Sequence, residues 1–196
     1  MLTAIKEIIN PDVVLNIATG DKVLTLKEEG ADSKVKKLHI QNVPENAFAF
    51  TLDHQPGGRN NRWFKQLSSY VDIRNSKGVN KGCDLVLLIP QLNQQIILIF
   101  DLKSKKPNRE AAKRQLINSE LYVRYLMTMV QAYYGIETNS IQYKRAIVTT
   151  AERRGIPKTA IYRPNEKTSV KNSFHIQTVR VNSKKEAHVY LNALLK

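Results

Sequence analysis

The chain has 196 residues, 42% of them hydrophobic, which is enough to form one domain with a sizeable core. Its formal net charge is +14, and the excess lies in residues 51–196, where 25 Lys and Arg stand against 10 Asp and Glu; a charge of this size attracts polyanions and favours nucleic acid as the partner. No apolar run reaches the roughly 18 residues of a membrane-spanning helix, and a single cysteine excludes an intramolecular disulfide.

The N-terminal stretch, residues 1–55, is predicted to be a β-rich extension. Residues 1–9 favour a short helix, and strand patterns follow at 12–17, 22–26, 35–40 and 47–53. The first twelve residues combine a Glu with only a short apolar run, which is not typical of a secretory signal. Together with the single cysteine, this predicts a cytoplasmic protein that contacts no membrane.

The middle of the chain, residues 56–150, is predicted to form the core of the domain. After a Pro-Gly-Gly loop, residues 62–70 favour a short helix, or a helix followed by a strand, and 74–82 a basic turn. Continuous Ile, Leu and Val at 83–89 and 95–103 predict two strands that are covered on both faces. The connection between them is short, so we expect an antiparallel hairpin.

A long helix is predicted directly after this hairpin. Asn108 is a plausible N-cap, Glu110 lies in the first turn, and Gly135 is a plausible C-terminal stop. Strands are then expected at 143–150 and 173–181, and a final helix at 184–195. The predicted fold is one α/β domain with a mixed sheet, in which residues 151–196 supply the last strand and helix.

Three charged residues lie at the edges of the two buried strands. Side chains alternate along a strand, so Asp101 and Lys103 point the same way, and a hairpin brings Asp84 to the same end of the sheet. Two neighbouring carboxylates repel each other unless a cation lies between them. Mg²⁺ or Mn²⁺ held by carboxylates, with an activated water and a lysine, is suited to cutting a phosphodiester bond.

The pattern of Asp84, sixteen residues, and then Asp101-Leu102-Lys103 resembles the motif of the PD-(D/E)XK nuclease superfamily. The resemblance implies a restriction-endonuclease-like αβββαβ core, with a mixed central sheet flanked by helices. It further implies that Asp84, Asp101 and the backbone carbonyl of Leu102 bind Mg²⁺ or Mn²⁺, and that Lys103 is the catalytic lysine. The proline that sometimes precedes the first Asp is replaced by Cys83.

Two further features of this superfamily have candidates in the chain. Many members place a Gln on the helix after the motif, and Gln115 matches this element. Some members add a Glu from an upstream helix, which Glu7 or Glu45 could supply. Four acidic residues could complete the metal site, and the sequence does not choose among them: Glu7, Glu45, Asp53 and Asp72.

Basic residues near the motif are candidates for contacts with the phosphates of a nucleic acid. They are Lys105, Lys106, Arg109, Lys113 and Arg114 after the motif, and Arg59 and Arg62 in the glycine-rich loop. The plain alternative is a basic surface that faces only solvent. The four histidines are scattered along the sequence, so no zinc site is predicted.

These features predict a metal-dependent nuclease, with DNA favoured over RNA, that serves in restriction, defence, repair or recombination. An endonuclease is favoured over an exonuclease, and a homodimer or a larger nuclease complex stays open. The alternative is a catalytically inactive nuclease fold that binds nucleic acid. A third interpretation is a basic, RNA-associated protein without this fold, which a wide separation of Asp84 from Asp101 would support.

Overall fold

A computed structural model describes residues 1–18, 20–28, 30–54, 67–72, 74–92, 94–103, 107–150 and 174–196. In this part of the chain the helices are α1 (Leu2–Ile8), α2 (Arg109–Tyr134) and α3 (Leu191–Leu194). The strands are β1 (Val14–Leu15), β2 (Ile17–Ala18), β3 (Val23–Lys27), β4 (Lys37–Gln41), β5 (Phe48–Phe50), β6 (Leu85–Pro90), β7 (Gln95–Lys103), β8 (Ile141–Thr149), β9 (His175–Thr178) and β10 (Glu186–Tyr190). None of the described helices is long and apolar enough to span a membrane.

The larger sheet is mixed and has the strand order β1-β5-β6-β7-β8-β9. β5, β6 and β7 form an antiparallel meander, as the short connection between β6 and β7 predicted. α2 then crosses over the sheet, so β8 lies parallel to β7 and β9 parallel to β8. The prediction of an α/β fold with a mixed sheet is confirmed.

The smaller sheet is built from both ends of the described chain. Its order is β10-β4-β3-β2, with antiparallel pairs between β2, β3 and β4. β10 pairs in parallel with β4, so that His188 lies directly beside His39. The two imidazole rings stack with their centroids 4.8 Å apart. Two of the histidines that are far apart in sequence are therefore neighbours in the fold.

The two faces of the larger sheet are covered by different layers. On β7, Ile97 and Ile99 pack with α1 and α2, whereas Leu98 and Phe100 pack with the smaller sheet. The expectation of a central sheet flanked by helices therefore holds for one face. The other face is covered by the smaller sheet and by the short α3. The strands of the smaller sheet have an apolar face of their own, which packs against the larger sheet.

The predicted helix over 184–195 is wrong, because this segment contains β10 followed by the four-residue α3. Ala187 and Val189 are buried, while His188 and Tyr190 between and after them are exposed, which is the period of two of a half-buried strand. The other strand predictions are confirmed with shifted ends, except that the strand expected at 12–17 is replaced at its start by a 3₁₀ turn at Pro11–Val13 and otherwise split into β1 and β2.

Helix α2 is held firmly in place against the sheet. The side chain of Asn108 accepts a hydrogen bond from the backbone N–H of Ala111 (3.1 Å), and Gly135 ends the helix with φ of 66°, as the sequence predicted. The buried Glu120 accepts hydrogen bonds from Arg145 Nε on β8 (2.5 Å) and from Arg124 Nε (2.9 Å). These contacts fix the position of the helix that carries Gln115.

Candidate active site

The hairpin brings the two aspartates of the motif together. Leu85 pairs with Phe100, so the next cross-strand neighbours are Asp84 and Asp101. Asp101 follows Ile97 and Ile99 on the face of β7 that packs against α2, and the two carboxyl groups lie within hydrogen-bonding distance of each other. The convergence that the sequence predicted is present.

Lys103 and Gln115 complete one connected polar cluster with Asp101. The Lys103 ammonium lies 2.5 Å from Asp101 Oδ2 and donates to Gln115 Oε1 at 3.1 Å. Gln115 Nε2 donates to Asp101 Oδ1 at 3.3 Å and to the backbone carbonyl of Gly82 at 2.6 Å. The Gln115 amide thus bridges the lysine, the carboxylate and the chain just before Asp84.

Burial controls the charge of this cluster. Burial raises the pKa of Asp84 well above its ordinary value of 3.8, and the charge of Asp101 raises it further. Burial also raises the pKa of Asp101, although Lys103 opposes the rise. Burial alone would lower the pKa of Lys103, but the charges of Asp101 and Asp84 outweigh it and the net pKa is raised. Lys103 therefore stays protonated at neutral pH.

The arrangement fits a hard divalent cation. The Asp101 side chain is fully buried, and its Oδ2 accepts no well-oriented hydrogen bond from the described residues, even though the Lys103 ammonium touches it. A second carboxyl group lies beside it, and such pairs are stabilised by a cation between them. No cluster of three or more His, Cys, Asp or Glu suited to a metal is found among the described residues.

Leu102 takes part in the site through its backbone. Its N–H donates to Asp84 Oδ2 at 2.6 Å, a contact that the sequence did not predict. In an extended strand the N–H and the C=O of one residue lie on the same edge. The carbonyl that was predicted to be a metal ligand is therefore on the Asp84 side of β7.

The fold separates the four candidate upstream acids. Asp53 follows β5 at the Asp84 end of the sheet, where the N–H of Leu52 donates to the carbonyl of Cys83 (3.1 Å). Its negative charge adds to the rise in the pKa of Asp101 that burial causes and Lys103 opposes. Asp53 is therefore the one of the four candidates whose charge affects the pKa of Asp101.

Two of the other three candidates lie away from the site, and the third is exposed and already paired with a cation. Glu45 precedes β5 at the opposite end of the sheet and is 4.0 Å from Lys22. Glu7 contacts the hydroxyl of Tyr134, which is about 28 Å along α2 from Gln115. Asp72 is exposed and pairs with Arg74 in the loop before β6.

The predicted phosphate-binding residues are only partly described. Arg109 and Arg114 are exposed on the first turns of α2, and Lys113 is half-buried there. They share the first turns of α2 with Gln115 but not its face of the helix, since at 3.6 residues per turn each lies about 100° or more around the axis from it. Arg59, Arg62, Lys105 and Lys106 lie outside the described residues.

Gly82 is part of the site and was not predicted to be. Its carbonyl is the acceptor for Gln115, and a Cβ at this position would lie 2.1 Å from the carbonyl oxygen of Leu52. Only glycine lets the two backbones approach so closely. The Lys81-Gly82 pair looked like an ordinary turn, because close approach between distant segments leaves no local signal in the sequence.

Comparison of the chain with protein-family models, with curated proteins and with solved structures gives no match. Its function is therefore argued from the geometry of the site and from the motif.

The raised pKa of Asp84 predicts a pH-dependent stability. A carboxyl group that binds its proton more tightly in the folded state stabilises the fold below its unfolded pKa of about 4, and this contribution is lost as the pH rises through the higher folded value. We therefore expect Asp84→Asn to gain stability relative to the wild type between about pH 4 and neutral pH. Urea denaturation of both proteins in EDTA measures this difference. A difference that is constant with pH would contradict the shift.

Proposed function

We propose that this chain is a nuclease that requires Mg²⁺ or Mn²⁺ and hydrolyses phosphodiester bonds in DNA, built on a restriction-endonuclease-like core. The observation that carries the proposal is the cluster of Asp84, Asp101, Lys103 and Gln115 at one end of the β6–β7 hairpin. The close contact of the two carboxyl groups also argues against a basic RNA-associated protein that only happens to contain the motif.

The order of elements supports the same core. α1 comes first, the β5–β6–β7 meander follows, and α2 then leads to β8, which lies parallel to β7. When β1 to β4, which lie between α1 and β5, are set aside, this order agrees with the αβββαβ core that the motif implies. The second sheet is an addition to it and packs on the face of the larger sheet opposite to α2.

The residues suited to hold the metal are Asp84, Asp101 and the carbonyl of Leu102. Asp53 is our choice for the upstream acid. A bound divalent cation would polarise the scissile phosphate and lower the pKa of a water molecule at that place. The carboxyl groups of the buried Asp101 and the half-buried Asp84 repel each other and provide the negative charge that such a cation needs.

Lys103 and Gln115 act on the substrate side of this cluster. The Lys103 side chain is 32% exposed, so its ammonium can reach a phosphate from within the cluster. Because its pKa is raised, Lys103 is a cation that stabilises the negative charge that develops on the phosphate oxygens. Gln115 holds that ammonium with its amide oxygen and holds Asp101 with its amide nitrogen, so it positions both groups at once.

A second candidate function is a catalytically inactive nuclease fold that binds nucleic acid. It is favoured by the direct contact of Lys103 with Asp101, because a lysine can neutralise a buried carboxylate in place of a metal. Both candidates predict binding to DNA that weakens with salt, since both use the basic surface.

Cleavage assays separate the two candidates. The purified chain is incubated with supercoiled, linear and single-stranded DNA and with RNA, in Mg²⁺, in Mn²⁺ and in EDTA. We expect DNA to be cut with either metal and to stay intact in EDTA. Salt-sensitive binding without cleavage of any of these substrates would contradict the nuclease proposal and support the catalytically inactive fold that binds nucleic acid.

A further inference from the structure

The loop that leads into Asp84 is tied down from within. We call its described residues, 67–72 and 74–82, the anchored loop. The side chain of Asn80 is buried; its Oδ1 accepts from the N–H of Ser68 (2.8 Å), and its Nδ2 donates to the carbonyls of Ser68 (2.7 Å) and Val71 (2.9 Å). One amide thus closes the loop and satisfies backbone groups that no strand or helix pairs.

The anchored loop is also tied to the helix that carries the site. Asn118 Nδ2 donates to the carbonyl of Gly78 at 2.7 Å, and Gln115 Nε2 donates to the carbonyl of Gly82 at 2.6 Å. Asn118 and Gln115 are three residues apart, which is about 4.5 Å along α2. The same Gln115 amide contacts Asp101, so the loop is held at the edge of the polar cluster.

The side chains that the anchored loop presents to solvent suit a nucleic acid. The ring of Tyr70 is almost fully exposed, at 98%, and the side chain of Arg74 is 88% exposed. Lys77 and Lys81 are also exposed. The only acidic residue among the described residues of the loop, Asp72, already pairs with Arg74. An aromatic ring thus stands among an excess of cations.

The anchored loop lies within reach of the site. Asn80 is four residues before Asp84, so their Cα atoms are at most about 14 Å apart. Asn80 binds Ser68, and Tyr70 is two residues after Ser68. The Cα of Tyr70 is therefore at most about 7 Å farther from the site than the Cα of Ser68. These bounds keep Tyr70 in the neighbourhood of Asp84, within the reach of a nucleic-acid strand of several nucleotides that is bound at the polar cluster.

We infer that the anchored loop binds unpaired nucleotides next to the scissile phosphate, with Tyr70 stacked on a base and Arg74, Lys77 and Lys81 in contact with phosphates. The inference rests on the proposed nuclease function and specifies its substrate class as DNA with single-stranded character at the site. In an intact duplex the faces of the bases are covered by their neighbours, whereas an unpaired base offers a face to an exposed aromatic ring.

Binding measured without cleavage tests this inference. A short single-stranded oligonucleotide that contains 2-aminopurine, and a fully paired duplex of the same sequence, are titrated with protein in EDTA. We expect Tyr70→Ala to weaken binding to the single strand by about tenfold and to remove the quenching that stacking causes. Tyr70→Phe should keep both, and the duplex affinity should change by less than about twofold, since little of its stacking surface is free.

Tyr133→Ala is the matched control. Tyr133 is 82% exposed but lies near the far end of α2, so its removal should leave both affinities unchanged. The inference is overturned if Tyr70→Ala binds the single strand as well as Tyr133→Ala does, if it weakens the duplex equally, or if the wild-type protein does not bind the single strand.

The two proposals can fail separately. Quenching that depends on Tyr70, in a protein that cuts no DNA, would refute the nuclease and leave the anchored loop as a single-strand binding element. If the protein cleaves DNA with metal but Tyr70→Ala does not change its affinity for DNA, the binding role of the anchored loop is refuted and the nuclease proposal stands.

Discussion

Replacing Asp101 with Asn is expected to reduce metal-dependent DNA cleavage by about 10³-fold or more. The substitution removes one of two carboxylates suited to hold the metal and the charge that holds Lys103 beside it. A bound metal contributes several kcal/mol to transition-state stabilisation, and each factor of ten in rate corresponds to about 1.36 kcal/mol. Rates of nicking of supercoiled DNA in Mg²⁺ and in Mn²⁺ measure the effect.

The same variant separates catalysis from folding. The substitution keeps the size of the side chain and removes a buried charge, so we expect the metal-free protein to be at least as stable as the wild type. We expect Mg²⁺ to raise the melting temperature of the wild type, and this rise should be absent in the variant. Asp21→Asn removes an exposed carboxylate from the turn before β3 and should leave the nicking rate unchanged. An Asp101→Asn protein that cuts at the wild-type rate would remove Asp101 from the mechanism.

The second large effect is expected from Gly82→Ala. The new methyl group would meet the carbonyl oxygen of Leu52 at 2.1 Å and its carbonyl carbon at 2.7 Å, and backbone atoms cannot swing aside as the end of a side chain can. We expect the free energy of unfolding to fall by about 3 kcal/mol, the upper range for overpacking. Urea denaturation measures this loss.

The clash also has a consequence for the site. Moving Gly82 away from Leu52 displaces the carbonyl that Gln115 Nε2 binds, so the residual folded protein should cleave DNA more slowly. Gly20→Ala is the control, because among the described residues no atom beyond the chain neighbours of Gly20 lies within 4 Å of a Cβ at that position. Equal stability of the Gly82→Ala and Gly20→Ala proteins would show that β5 and the start of β6 can move apart without cost.

The elements that could be predicted from the sequence are those whose signals are local. The runs of Ile, Leu and Val in β6 and β7 are short, adjacent and joined by a tight connection, so both their pairing and their burial follow from nearby residues. Asn108 and Gly135 mark the ends of α2 by the chemistry of their own side chain and backbone. The alternation along β7 then placed Asp101 and Lys103 on one face.

What could not be predicted depends on contacts between distant segments. The sequence predicts a helix where β10 lies, because the burial of Ala187 and Val189 depends on pairing with β4, which local periodicity does not include. Asp53 was one of four equal candidates because its position is set by the pairing of β5 with β6. The need for glycine at position 82 comes from the nearby backbone of Leu52, and the sequence around Gly82 does not indicate that contact.

The parallel pairing of β10 with β4 also has a consequence for how the protein is made. The paired residues Lys37 and Glu186 are 149 positions apart, and closing so long a loop is slow. As synthesis proceeds towards the C-terminus, β2, β3 and β4 can pair early, but the free edge of β4 stays unpaired until residues 186–190 have left the ribosome. During that interval the nascent sheet offers unpaired N–H and C=O groups to other chains. The arrival of β10, which brings His188 against His39, ends this aggregation-sensitive period.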